Sequence, residues 1–202
     1  MLDRFAMRLL QPGLERGARA LHRIGVKADQ VTLAGFAMGV VAAAAIATGR
    51  PLAGLVLLLA SRLCDGLDGT IARLSAPTDR GGFLDITFDF LFYASIPLAF
   101  AVADPAANAL AAAALLASFV GTATTFLAFA AIAARRGLTS LAYPNKGIYY
   151  LGGLTEATET LTCFALMCLW PHRFALLAWI FAVPCALTIA TRTWAGWRTF
   201  SA

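Results

Sequence analysis

The 202-residue chain is 60% hydrophobic and 13% charged, with a mean hydropathy of +0.75. Soluble domains are roughly 45–50% apolar and about 25% charged, so this composition excludes an ordinary soluble domain and points to a membrane protein. The formal net charge of +5 is no argument for nucleic acid, because the basic residues fall between apolar stretches, where they orient spans.

The first 27 residues interleave Arg4, Arg8, Arg16, Arg19, Arg23 and Lys27 with apolar residues and hold no unbroken apolar core, unlike a signal peptide. Leu2, Phe5, Leu9 and Leu10 share one helical face, which predicts an amphipathic segment over 2–22 on the membrane surface, broken at Pro12-Gly13. Asp29 is placed to N-cap a first span over 31–48. Gly49-Arg50-Pro51 predicts a tight turn. Span two covers 52–74, a polar loop 75–81, and span three 82–102, ended by Asp104-Pro105. Span four covers 109–134, and the basic loop after it holds Arg135, Arg136 and Lys146, with a turn at Pro144-Asn145. Span five covers 149–170, opening on Tyr149 and Tyr150, and span six covers 174–190, with a kink expected at Pro184.

The expected fold class is therefore an all-α membrane protein of one domain over 1–202. An interfacial segment (1–27) precedes six transmembrane helices (31–190). The N-terminal cations, Arg73, Arg80, the loop after span four, Arg192 and Arg198 fall on one side, against Arg50 and Arg173 on the other. That asymmetry predicts both termini in the cytoplasm. Cys64, Cys163, Cys168 and Cys185 lie in apolar stretches without a C-x-x-C pair and read as small buried hydrophobes.

Spans two and three carry two pairs of aspartates, Asp65 with Asp68 and Asp85 with Asp89. Carboxylates at membrane depth are costly unless paired, hydrated or bound to a cation. Residues three or four apart share a helix face, so each pair converges, and antiparallel packing of spans two and three would bring both pairs together. Oxygen donors of this kind suit a hard divalent cation such as Mg²⁺ or Mn²⁺. Gly66, Gly69 and Ala72 near that face leave backbone bare for a ligand, or serve tight helix packing. Arg73 pairs with a phosphate or anchors the span at the cytoplasmic surface.

The run Asp65, Asp68, Gly69, Ala72, Arg73, then Gly81, Asp85, Asp89 resembles the signature of the CDP-alcohol phosphatidyltransferase family, D-x-x-D-G-x-x-A-R followed by G-x-x-x-D-x-x-x-D. The spacer from Arg73 to Gly81 is one residue short of the usual eight, and the shortening is read into the loop. The resemblance implies a bacterial inner-membrane enzyme with its site at the cytoplasmic face. It would transfer a phosphatidyl group from a CDP-linked lipid, CDP-diacylglycerol, to an alcohol, releasing CMP. It further implies Asp65, Asp68, Asp85 and Asp89 as ligands of two Mg²⁺ or Mn²⁺ ions, Asp89 also as general base, and Gly69, Ala72 and Arg73 lining the CDP site. A homodimer is expected by family analogy.

For the acceptor, Arg62 and Lys146 are candidates to hold a phosphate, as in relatives using glycerol 3-phosphate or inositol phosphate. Glu156 and Glu159 would favour a cationic alcohol, or else pair with Arg62, Lys146 or Arg135 inside the bundle. His22 and His172 are given no chemistry. The competing readings are a cation transporter using intramembrane carboxylates, for which a midplane site is expected, and a family member without catalysis.

Overall fold

A computed structural model describes residues 2–138 and 153–201, the side chains of 2–8 excepted. The described residues form seven α-helices: α1 (Leu2–Arg23), α2 (Ala28–Ala47), α3 (Pro51–Ser75), α4 (Asp79–Ala103), α5 (Pro105–Arg135), α6 (Ala157–Leu169) and α7 (Phe174–Phe200). A 3₁₀ turn, Pro171–Arg173, joins the last two. Among the described residues there is no strand. Four stretches are long and apolar enough to cross a membrane: α2, α4, α5 and Pro171–Phe200. The 25-residue α3 has the length, but it carries Arg62, Asp65, Asp68 and Arg73. Large apolar side chains stay exposed along these helices, among them Val40, Val56, Leu98 and Val120, as lipid-facing surfaces require.

Turns and caps correct several boundaries. Helix α1 runs unbroken through Pro12. Proline forfeits one backbone bond there, but a surface helix can return the freed carbonyl to water. Asp29 is no N-cap. Lys27 takes that position, with its N–H donating to the Gln30 side chain at 3.0 Å, and Asp29 in the first turn of α2 bonds Arg80 of α4. The expected loop 75–81 shrinks to three residues. Helix α4 begins at Asp79, capped by Thr78, whose hydroxyl accepts the Gly81 N–H at 3.1 Å. Gly49, at φ +78°, turns the chain between α2 and α3 as expected. Asp104 caps α5, its Oδ1 accepting the Ala107 N–H at 3.1 Å, so that helix starts at Pro105.

The later spans differ more. Span five, expected from 149, is helical only from Ala157, and the described residues 153–156 are extended or bent. Their backbone is claimed by α7 instead: the Leu154 and Thr155 N–H groups donate to Thr188 Oγ1 at 3.1 and 3.3 Å. Span six does not stop at 190; α7 continues through Pro184 to Phe200. Pro144, Asn145, Lys146, Tyr149 and Tyr150 lie outside the described residues.

Packing places α2 at the centre of the N-terminal half. It lies against both α3 and α4, while α4 also packs on α5, and α5 on α7. The two aspartate-bearing helices make little direct backbone contact with each other. The expected α3–α4 pairing is thus replaced by two helices splayed across α2. One buried core, including Ile46, Leu58, Phe92, Leu115, Phe164 and Phe174, joins α2 through α7. A smaller cluster of Ala18, Val31 and Ile71 fixes α1 against the C-terminal end of α3. All four cysteines are free, three of them buried, as read from their apolar surroundings.

Candidate functional site

Glycines decide how close the helices come. A Cβ on Gly35 would stand 2.8 Å from Cys64 Cβ, and one on Gly39 would stand 2.7 Å from the Phe92 ring and 3.3 Å from Ser61 Oγ. Bare backbone at these two positions, four apart on α2, therefore seats α2 between α3 and α4. The Phe36 and Phe88 rings stack at 4.3 Å and close the α2–α4 side.

The result is an open cleft lined by Thr32, Gly35 and Phe36 of α2, Ser61, Arg62, Asp65 and Asp68 of α3, and Asp85, Phe88 and Asp89 of α4. All four aspartates expected to act together face this one cleft. Asp68 and Asp85 sit toward the linked ends of α3 and α4, whereas Asp65 and Asp89 lie near the helix midpoints. Asp68 is the deepest, 4% exposed, and its Oδ2 has no hydrogen-bond partner.

Arg62, expected to hold an acceptor phosphate, lines the cleft and engages its carboxylates. Its Nη1 donates to Asp89 Oδ1 across the cleft and lies 3.4 Å from Asp65 Oδ1. Its guanidinium rests on the Phe92 ring, 3.8 Å from the centroid. Among the described residues no three His, Cys, Asp or Glu side chains close on one point, so the carboxylates share a cleft without meeting. Even so, the set fits a divalent cation. Its donors are all carboxylate oxygens, the hard ligands such ions take, and the orphaned Asp68 Oδ2 is a buried acceptor that a cation would satisfy.

The other expected site residues lie apart. Gly69, Ala72 and Arg73 follow Asp68 on α3 but do not line the cleft. Arg73 is exposed, its Nη2 donating to Thr70 Oγ1 at 2.9 Å. Glu156 and Glu159 form the start of α6: Glu159 Oε2 accepts the Glu156 N–H at 3.1 Å, and Glu156 Oε1 accepts the Gly153 N–H at 3.5 Å. The two glutamates form a capping box, and neither lines the cleft. Arg192, counted in the sequence as a surface cation, is buried and donates to the Thr122 carbonyl of α5 at 3.1 Å.

Gly66 separates from Gly69. A Cβ on Gly66 would meet Leu14 of α1 at 3.0 and 3.2 Å, whereas one on Gly69 would meet only the Arg73 side chain, at 3.6 Å. Gly66 is thus the seat of α1, not a ligand surface. Gly66→Val should cost about 1–3 kcal/mol of stability by overpacking, read as a lower melting temperature, and Leu14→Ala in the same chain should recover part of it. A double variant as unstable as Gly66→Val alone would contradict this seat. Thr32, Gly35, Phe36, Ser61 and Phe88 were missed in the sequence. The Gly35-x-x-x-Gly39 spacing was the available signal, since small residues at that interval mark a close helix crossing.

The family model for CDP-alcohol phosphatidyltransferases matches residues 26–194. The chain belongs to that family. It is accordingly a membrane phosphotransferase of phospholipid synthesis. The phosphatidyltransferase is 50% identical over 199 residues to the inner membrane protein YnjF of Escherichia coli (strain K12), covering 98% of this chain and 97% of the relative. It is 47% identical over 70 residues to an archaetidylinositol phosphate synthase of Methanothermobacter thermautotrophicus, 34% of this chain and 36% of that one. Its fold resembles the Mycobacterium tuberculosis phosphatidylinositol phosphate synthase PgsA1. The form with manganese and citrate gives a TM-score of 0.71 at 25% identity, over 91% of this chain and 88% of that one. The form with CDP-DAG bound gives 0.66 at 25% identity, over 91% and 93%.

Proposed function

We propose that this phosphatidyltransferase moves a phosphatidyl group from CDP-diacylglycerol to an acceptor of the glycerol 3-phosphate or inositol phosphate kind, releasing CMP. The observation that carries the reading is the single cleft lined by Asp65, Asp68, Asp85 and Asp89. The fold's likeness to a synthase that binds CDP-DAG and manganese supports it, as does the local identity to an archaetidylinositol phosphate synthase.

Asp65, Asp68, Asp85 and Asp89 would hold two Mg²⁺ or Mn²⁺ ions, whose chemistry there would be to offset the pyrophosphate charge as CMP leaves. Asp89 takes the proton of the acceptor hydroxyl, because an alcohol is a poor nucleophile at neutral pH. The acceptor oxygen then bonds the lipid-side phosphorus as the bond to CMP breaks. Gly69 and Ala72, with no bulk beyond a methyl, let the nucleotide approach the backbone of α3. Arg73, exposed at the end of that helix, pairs with a phosphate oxygen.

The chain acts as one domain over 1–202 with six membrane crossings and both termini cytoplasmic, in the inner membrane, and with α1 on the cytoplasmic surface. The crossings are α2, α3, α4, α5, the stretch ending in α6, and α7. A homodimer is the expected assembly. The test is an assay of purified protein with labelled CDP-diacylglycerol and a panel of acceptors: glycerol 3-phosphate, inositol phosphate and uncharged alcohols. CMP release that needs both a divalent cation and one phosphorylated acceptor supports the reading. Cation flux in proteoliposomes without CMP release would replace it with transport.

A further inference from the structure

The cleft holds its own cation. Arg62 stands one turn before Asp65 on α3, its side chain only 11% exposed, and bonds Asp89 of α4 while lying 3.4 Å from Asp65 Oδ1. It is held from below by the Phe92 ring at 3.8 Å and the Tyr93 ring at 5.7 Å, and from the side by Ser61 Oγ, 3.4 Å from its Nη2. Cation–ring contacts of this kind strengthen as the cation is withdrawn from water. The position is thus built, not a surface side chain leaning inward.

The arrangement is also incomplete. Arg62 Nε is buried without an acceptor, and Asp68 Oδ2, in the same cleft, is buried without a donor. A guanidinium at its best makes two parallel bonds to one carboxylate. Here it uses Nη1 on two different aspartates and leaves one donor and one acceptor unmet. Arg62 therefore offsets part of the acidic charge without satisfying the site, and the oxygens it engages include those a metal would need.

We infer that Arg62 is an internal counter-cation that competes with the divalent metal for Asp65 and Asp89, and so weakens metal binding by the resting enzyme. The inference rests on the reading of the four carboxylates as metal ligands. With metal bound, Asp65 and Asp89 would be freed from the guanidinium, which its aromatic shelf would keep at the cleft. Before metal binds, the guanidinium offsets part of the repulsion among the four carboxylates.

The experiment is Mn²⁺ binding to the detergent-solubilised full chain without any CDP-lipid, read by the electron paramagnetic resonance of free Mn²⁺. An Arg⁺ beside a carboxylate commonly lowers that carboxylate's affinity for a proton by about 10- to 1,000-fold. Arg62→Gln should bind Mn²⁺ about tenfold tighter than the parent protein, at the lower end of that range. Arg62→Lys keeps the charge without the planar fork and should fall between them. Arg80→Gln removes a cation whose partner, Asp29, lies outside the cleft, and should leave the affinity unchanged. Equal or weaker binding by Arg62→Gln overturns the inference, as does equal tightening by Arg80→Gln, which would signal a general charge effect. If Arg62→Gln does not fold, Arg62→Lys decides by the same criterion. A parent protein that binds no Mn²⁺ at millimolar concentration would sink the metal-site reading itself and this inference with it.

Discussion

Asp89→Asn leaves a folded protein that still binds CDP-lipid but releases CMP about 10²–10⁴ times more slowly, the usual contribution of a positioned general base. The carboxylate lines the cleft with three others, and its side chain is 38% exposed, so it can meet an incoming hydroxyl as well as its internal partner Arg62. Asparagine keeps the shape and can still accept a hydrogen bond, but it cannot take a proton. The rate should therefore fall far more than CDP-lipid affinity does. Single-turnover CMP release with acceptor present, beside binding of labelled CDP-diacylglycerol without acceptor, separates the two effects. Undiminished turnover would remove Asp89 as the base. Loss of binding in proportion to rate would make it a binding residue instead.

For Asp68→Asn the expected signs of stability and activity are opposite. Asp68 is the most buried of the four, with one oxygen lacking any hydrogen-bond partner. An uncompensated buried charge opposes folding, so the neutral amide should keep or raise the melting temperature measured without metal. CMP release should drop by at least about a hundredfold, because a ligand to the charge-stabilising ions has lost its charge. A residue kept for packing alone would show the reverse pattern, lower stability with activity retained. Melting curves with and without Mn²⁺ sharpen the comparison: metal should raise the melting temperature of the parent protein and raise that of Asp68→Asn much less.

Parts of this molecule were legible without coordinates because they are local. Asp65 and Asp68, or Asp85 and Asp89, need only a helix to share a face, and apolar runs need only their length to be read as helices. The Gly49 turn and the Asp104-Pro105 break are of the same kind. The misreadings came where a local signal had two outlets. Glu156 and Glu159 were read for their charge alone, and their side chains also form the start of α6. Their three-residue spacing is that of a capping box, but Glu is an uncommon N-cap, so the pattern was easy to pass over. Gly66 looked like a ligand surface and serves Leu14. Arg62 looked available to a substrate and is engaged by Asp89, 27 positions along the chain.

By itself the sequence determined the membrane class, the helical character and the acidic signature, since each depends on composition or on neighbours within a turn or two. Only the tertiary structure decided that α2, not direct α3–α4 packing, gathers the aspartates, that α1 braces α3, and that an arginine stands among the carboxylates. Those outcomes depend on which surfaces fit. A methyl group's worth of space at Gly35, Gly39 or Gly66 settles the helix approach, and a match of that kind is a property of two distant segments together rather than of either one alone.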